Sequence, residues 1–150
     1  MANVTFYEDG SLPSSVMTEK EVANFLAEHG VRPSAQRVAI YHLLHSKRHH
    51  LTADEILQAL PSHLVGVTRM TVYNSLNLFV NNGIVRTVAD YETARRYDAN
   101  TSPHAHFKCT DCGKIFDIPL SREPSLPEIP NGFSVKEAQL YMTGKCHSCG

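Results

Sequence analysis

Four cysteines in this chain of 150 residues stand in two pairs, Cys109/Cys112 and Cys146/Cys149. A two-residue spacer lets a tight turn aim two thiols at one ion, and Gly113 supplies the backbone freedom such a turn uses. Two turns of this kind complete a tetrahedral sulfur site. Zn2+ is the default occupant, being d10, redox-silent and suited to four thiolates. The gap between the pairs is longer than in a compact zinc ribbon, so folded strands must bring them together. The ion would then tie the C-terminal strand to the rest of its domain. A rubredoxin-like iron site and a thiol–disulfide switch are the rival readings. His147, inside CHSC, reads as a solvent-facing turn residue, because four thiolates already saturate zinc.

The stretch HAHFKCTDCGKIFD holds more than the first cysteine pair. Residues two apart on a strand face the same side, so His104 and His106 can share an ion. By itself a His-x-His pair also fits surface or core histidines. Further donors give it weight: Asp98 in RRYDA, Asp117 in GKIFD, and His50 just before a helix cap at Thr52. Three imidazoles and two carboxylates suit Fe2+ or Mn2+, and Zn2+ by affinity. Taken singly, Asp98 also fits a strand-end solvation residue and His50 a loop histidine. Asp111 reads as a polar turn residue. The stretch thus divides between a closed thiolate site and an open, exchangeable one.

The elements that must position these groups fall into two regions. Residues 1–17 lack periodicity and read as a flexible arm. Thr18-Glu19-Lys20-Glu21 is a capping box for a first helix with Val22, Phe25 and Leu26 inward, ended by Gly30. Pro33-Ser34 opens a second helix with Val38, Tyr41 and Leu44 inward. Thr52-Ala53-Asp54-Glu55 caps a third, with Ile56, Leu57 and Leu60, that stops before Pro61. Thr68 caps a fourth, with Val72, Leu76 and Phe79 inward, ending near Gly83. GIVRTVAD and ETARRYDA then read as a hairpin with Asp90 near its turn. This order is the winged helix-turn-helix pattern, whose fourth helix would enter a DNA major groove. HAHFKC, GKIFDI and FSVKEAQLYMTG read as C-terminal strands. Pro119, Pro124, Pro127 and Pro130 forbid a long helix in PLSREPSLPEIPNG, which reads as an irregular crossover. The expectation is an α+β chain: a winged-helix DNA-binding unit over 18–90 and a second unit over 91–150.

Net charge is −1, yet its distribution is uneven. Residues 29–87 carry Arg32, Arg37, Lys47, Arg48, Arg69 and Arg86 against Asp54 and Glu55, a net of +4. A basic middle fits a polyanion partner, and it also fits a solvated helical face. The ordinary apolar fraction argues against a disordered chain. No apolar run reaches the ~20 residues of a membrane span. The N-terminus has no basic region followed by an apolar stretch, which argues against a secretory signal and for the cytosol. A metal-dependent hydrolase is a second class of function, since histidines and carboxylates on a metal can activate water. No HExxH helix, Ser/His/Asp order or phosphate-binding glycine loop supports it. A zinc-stabilised interaction module, with incidental histidines and no second metal, is a third.

The stretches GVRPSAQRVAIYHLL, HLTADEI, TRMTVYNSLNLFVNNGIV, RRYD, HAHFKCTDCGKIFD and CHSC, in this order and spacing, resemble the ferric uptake regulator (Fur) family. They cover most of residues 20–118 and the C-terminal end. The resemblance implies a metal-responsive bacterial repressor: a homodimer on a palindromic double-stranded DNA operator, with a winged helix and an α/β dimerisation domain. It implies structural zinc on Cys109, Cys112, Cys146 and Cys149. It implies a regulatory Fe2+ or Mn2+ site, with Zn2+ as an alternative, on His50, Asp98, His104, His106 and Asp117. Tyr73 matches a DNA-facing residue of the recognition helix; Thr71, Asn74 and Arg69 lie on the same helix, Arg69 as a candidate phosphate or base contact.

The family's peroxide-sensing branch has an aspartate at the position of Asp117, where iron-uptake members usually have glutamate. In that branch the histidines matching His50 and His104 become oxidised. Zinc-uptake and haem-responsive members are the alternatives. Four features depart from the family pattern. A proline-rich segment stands where a helix is usual, Ala138 stands near the place of a further metal-site histidine, Asn74 replaces a common arginine, and the acidic N-terminal arm is longer.

Overall fold

Three helices begin on a threonine whose hydroxyl accepts a hydrogen bond from a backbone amide three residues on. These are Thr18 for α1 (Glu19–Glu28), Thr52 for α3 (Ala53–Ala59) and Thr68 for α4 (Arg69–Asn81). In each the side chain at the third helical position, Glu21, Glu55 or Thr71, reaches back to the threonine amide. Two of the amides that a helix start leaves orphaned are thereby satisfied. At the start of α2 (Ala35–Lys47) the hydroxyl of Ser34 accepts from the amide of Arg37. Gly30 follows α1 at φ 76°, in the left-handed region that ends a helix cheaply only for glycine.

The computed structural model describes residues 16–47, 50–88, 94–120 and 125–150. Most of the N-terminal arm, Asp90 and Pro124 lie outside them. The chain divides into two compact units, one ending at Thr101 and the other beginning at Ser102.

In the N-terminal unit the helices bury one stripe each. Val22 and Leu26 of α1, Ile40, Tyr41 and Leu44 of α2, Ile56 of α3, and Val72, Leu76 and Phe79 of α4 form a continuous core. Phe25, Val38, Leu57 and Leu60 pack around it half-buried. The Tyr41 ring meets Phe79 edge-on, with centroids 5.7 Å apart. Each such aliphatic or aromatic side chain contributes ~1.5–3 kcal/mol on burial. A small sheet closes the unit, with β1 (Leu51–Thr52), β2 (Arg86–Val88) and β3 (Arg96–Asp98) in the order β1-β3-β2, all antiparallel. Helices followed by a β2–β3 hairpin are the expected winged pattern.

The C-terminal unit is a second three-stranded sheet of β4 (His104–Cys109), β5 (Ile115–Pro119) and β6 (Tyr141–Gly144), in the order β5-β4-β6. β5 runs antiparallel to β4, and β6 runs parallel to it. No helix occurs among this unit's described residues, so the α element implied by the family resemblance has no counterpart there. The prolines account for this: residues 125–132 hold Pro127 and Pro130 and take no regular structure. The last strand is shorter than the alternation in FSVKEAQLYMTG suggests. Its pairing begins at Tyr141 opposite His106 and ends at Gly144 opposite Cys109, where β4 itself stops. No helix among the described residues is long and apolar enough to cross a membrane.

Thr52 ends β1 and caps α3, and it is nearly buried. Thr52→Ala should cost ~1 kcal/mol in urea unfolding, the usual cost of a lost cap. Thr18→Ala, at an exposed helix start, should cost less. Equal midpoints for Thr52→Ala and wild type would show that the cap at α3 carries no stability.

Candidate metal centres

The thiolate site is built from two turns on the C-terminal sheet. β4 delivers Cys109 at its last residue, and the following turn returns Cys112. There the amide of Gly113 donates to the Cys109 carbonyl, with Gly113 at φ 71°. Cys146 and Cys149 flank the second turn, just after β6, where the Cys149 amide donates to the Cys146 carbonyl. Parallel pairing of β4 with β6 sets Cys109 beside Gly144, which brings the turns together. Lys145 Nζ reaches Asp111 Oδ2 at 3.1 Å, so the aspartate links the two turns beyond the local role expected of it.

Four sulfurs, one from each cysteine, lie within 4.8 Å of one another, and Cys112 Sγ stands 3.9 Å from Cys146 Sγ. A tetrahedron with Zn–S bonds of ~2.3 Å has sulfur–sulfur edges of ~3.8 Å, so the set fits zinc. None of the four is in a disulfide. Backbone amides of Cys112 and then Cys146 point at Cys109 and pull its thiol down to about 6. Hydrogen bonding to the Cys146 and Cys112 sulfurs pushes Cys149 up. Amides aimed at a sulfur favour its thiolate, the form that ligates a metal. His147 is exposed, as expected of a turn residue.

A second donor set occupies the same sheet. His104 and His106 project from one face of β4, and Asp117 lies directly across from His106 on β5. The two Nε2 atoms are 3.0 Å apart, and Asp117 Oδ1 is 3.6 Å from the first and 3.8 Å from the second. His104 Nδ1 is 2.7 Å from the Ser102 carbonyl, which can only accept, so Nδ1 carries the proton. That fixes the tautomer and leaves the Nε2 lone pair directed at His106 and Asp117, the usual arrangement behind a metal-binding imidazole. Nitrogens held at right angles by bonds of ~2.1 Å sit ~3.0 Å apart, so these residues fit a divalent ion. The three side chains are 3%, 5% and 10% exposed, which keeps their donors from bulk water.

In the N-terminal unit, the β1–β3 register pairs Leu51 with Tyr97, which sets His50 opposite Asp98 one residue further on. His50 Nε2 is 3.8 Å from Asp98 Oδ2, and both side chains are buried. Asp98 Oδ1 accepts from the Asn100 amide at 2.7 Å, which orients the carboxylate. Arg96 holds the other side, donating to the His50 carbonyl at 2.7 Å and to Glu55 Oε2 at 3.0 Å. Partial burial opposes ionisation of Glu55, but the Thr52 amide and the Arg96 guanidinium outweigh it and keep the carboxyl below its ordinary value. Burial, with the Asp98 charge second, pushes the Tyr41 phenol up to about 12, so it remains a hydroxyl.

On α4, Tyr73 is 37% exposed and Asn74 is exposed. The Thr71 hydroxyl is engaged with Thr68 in the helix cap. Arg69 is bound through one guanidinium edge, Nε and Nη2, to both carboxylate oxygens of Asp54 on α3. Sequence reasoning passed over Arg96 and Ser102. The signal for Arg96 was the hairpin itself, since continuing its register places that residue beside the capped start of α3. For Ser102, two residues before His104, no sequence signal existed.

Residues 28–143 match the Ferric uptake regulator family. The chain is 36% identical over 136 residues to the peroxide operon regulator of Bacillus subtilis (strain 168), covering 87% of this chain and 92% of that one. It is equally similar, 36% over 137 residues with 87% and 90% covered, to the peroxide-responsive repressor PerR of Staphylococcus aureus (strain USA300). Among solved structures, the Helicobacter pylori ferric uptake regulator Fur superposes with a TM-score of 0.64 at 21% identity, covering 91% of this chain and 97% of that one. The Vibrio cholerae ferric uptake regulator gives 0.61 at 22%, with 83% and 98% covered. These structural likenesses speak to the fold. The chain belongs to the ferric uptake regulator family and is a metal-binding transcriptional regulator, not an enzyme, acting in metal homeostasis or peroxide-stress gene regulation.

Proposed function

We propose that the protein is a metal-dependent repressor in which Cys109, Cys112, Cys146 and Cys149 hold structural zinc. In this reading His50, Asp98, His104, His106 and Asp117 together hold one regulatory Fe2+ or Mn2+ ion. The observation that carries it is the convergence of His104 Nε2, His106 Nε2 and Asp117 Oδ1, with His104 oriented through its other nitrogen. His50 and Asp98 supply the remaining donors from the N-terminal unit. An ion that needs donors from both units favours only arrangements that bring all five to it, and that differential affinity shifts the population. The acting species is a homodimer that sets two α4 helices into successive major grooves of a palindrome. Support for the dimer comes from Leu126, Ile129, Phe133 and Val135, which are 52%, 40%, 73% and 48% exposed, and from β6 at the edge of its sheet.

Peroxide sensing is the favoured branch. Its support is Asp117 in place of glutamate together with the similarity to the two peroxide regulators. Bound Fe2+ would activate peroxide, and a neighbouring histidine would supply the two electrons overall, gaining one oxygen while the other leaves as water. The protein's part is to hold His50 and His104 beside that chemistry, where they become its oxidation targets.

Three experiments test this reading. Cys112→Ser should lose the ~1 zinc per chain that a closed four-thiolate site retains through dialysis, and should loosen the C-terminal sheet. A variant that keeps its zinc and its urea midpoint would remove Cys112 from the site. His50→Ala should leave zinc content unchanged and abolish the gain in DNA affinity on adding Mn2+. Binding as tight and as metal-dependent as wild type would dismiss the shared ion. Finally, Fe2+-loaded protein given a brief, low dose of peroxide should gain one oxygen on the peptide containing His50 or His104, with Mn2+-loaded protein unchanged. Iron-loaded protein that binds DNA and gains no oxygen would instead be a plain metal-uptake regulator.

A further inference from the structure

The recognition helix carries one charge. Along α4, RMTVYNSLNLFVN, Arg69 is the only ionisable side chain besides the Tyr73 phenol. That charge is already occupied. Asp54, in the first turn of α3, takes Arg69 Nε on Oδ1 and Nη2 on Oδ2, a fork-to-fork pair that joins the starts of the two helices. The partners are 63% and 44% exposed, so both stand at the surface, where a nucleic acid could reach them. The pair also offsets an adverse placement, since a cation in the first turn of α4 opposes that helix's dipole whereas Asp54 suits the first turn of α3. The guanidinium's hydrogen bonds hold the Asp54 carboxyl below its ordinary value, and the carboxylate in turn raises Arg69.

We propose that Asp54 masks Arg69, so that Arg69 must exchange a carboxylate for a DNA phosphate or guanine and contributes little net charge to DNA binding. Asp54 is then a tuning residue. It keeps sequence-independent affinity low, so that occupancy follows the positioning of α4 rather than attraction to the DNA backbone. Non-specific affinity rises with each phosphate neutralised, with a salt slope near −0.9 per contact. A masked arginine adds almost nothing to that slope, and an unmasked one adds about one contact.

The inference rests on α4 facing DNA, and one set of titrations separates the two ideas. Wild type, Asp54→Asn, Arg69→Gln and the double variant, all Mn2+-loaded, are titrated by fluorescence anisotropy onto a mixed-sequence duplex of about 30 base pairs. Salt is varied from about 50 to 200 mM. Urea midpoints show that each variant is folded. Masking predicts that Asp54→Asn binds about two- to fivefold more tightly, the size of one exposed charge contact. Its salt slope should steepen by about one contact. The double variant should lose that gain, and Arg69→Gln alone, which bares the Asp54 carboxylate, should bind somewhat more weakly. Weaker binding in both single variants would show that the pair positions α4 instead, and overturns masking. Wild-type binding with an unchanged Asp54→Asn curve also overturns it. Wild type that binds no duplex overturns the DNA-facing reading as well.

Discussion

Among the described residues, the C-terminal sheet has almost no fully buried apolar core of its own. Every residue of the continuous hydrophobic cluster lies between Val22 and Tyr97, and from residue 102 onward the buried described residues are Ala105, His106, Cys109 and Cys146. A three-stranded sheet of this size cannot offset the conformational entropy of ordering its chain through burial alone. Two cysteine turns from distant parts of the sequence close at its end, and a metal held there would make metal affinity and folding free energy one quantity. The rest follows from that closure. It would fix the parallel register of β6 on β4, and β4 in turn carries the histidines.

One strand keeps two metal chemistries apart by parity. His104 and His106 occupy alternate positions of β4, whereas Cys109 has the opposite parity and sits at the strand's end. The soft thiolate therefore faces away from the imidazoles, even though only two residues separate it from His106. Asp117 joins the histidine face because the antiparallel register sets it across from His106. The thiolate set is closed and suits permanent occupation, while the nitrogen and oxygen set suits exchange.

Much of this was legible in the sequence, for local reasons. Capping boxes are short-range, so Thr18/Glu21 and Thr52/Glu55 announced their helices. The turn chemistry of Cys-x-x-Cys and the limits of β4 were equally local. The misjudged length of β6 has a physical cause: alternation in FSVKEAQLY makes a strand only where a neighbour offers its hydrogen bonds, and β4 does so for four residues. The facing of His50 and Asp98 depends on a two-residue strand, too short for any periodicity to reveal. The Asp54–Arg69 pair joins residues fifteen apart on different helices, outside the three- and four-residue spacings by which helical charges are paired from sequence.

The surface of α4 also constrains how a repressor of this kind could switch. Its outward residues, Met70, Tyr73, Asn74 and Asn77, are uncharged, and its one cation is neutralised by Asp54. Amide and phenol groups read base edges but attract DNA weakly from a distance. Such a helix gains most from being placed correctly, and a pair of them gains more than either alone through effective concentration. A strongly basic helix would stay on DNA whether or not the subunits were aligned, and a metal that merely aligned them would have little to control. The near-neutral helix and a metal switch are therefore suited to each other: the weaker the unaligned binding, the more of the total affinity depends on the metal.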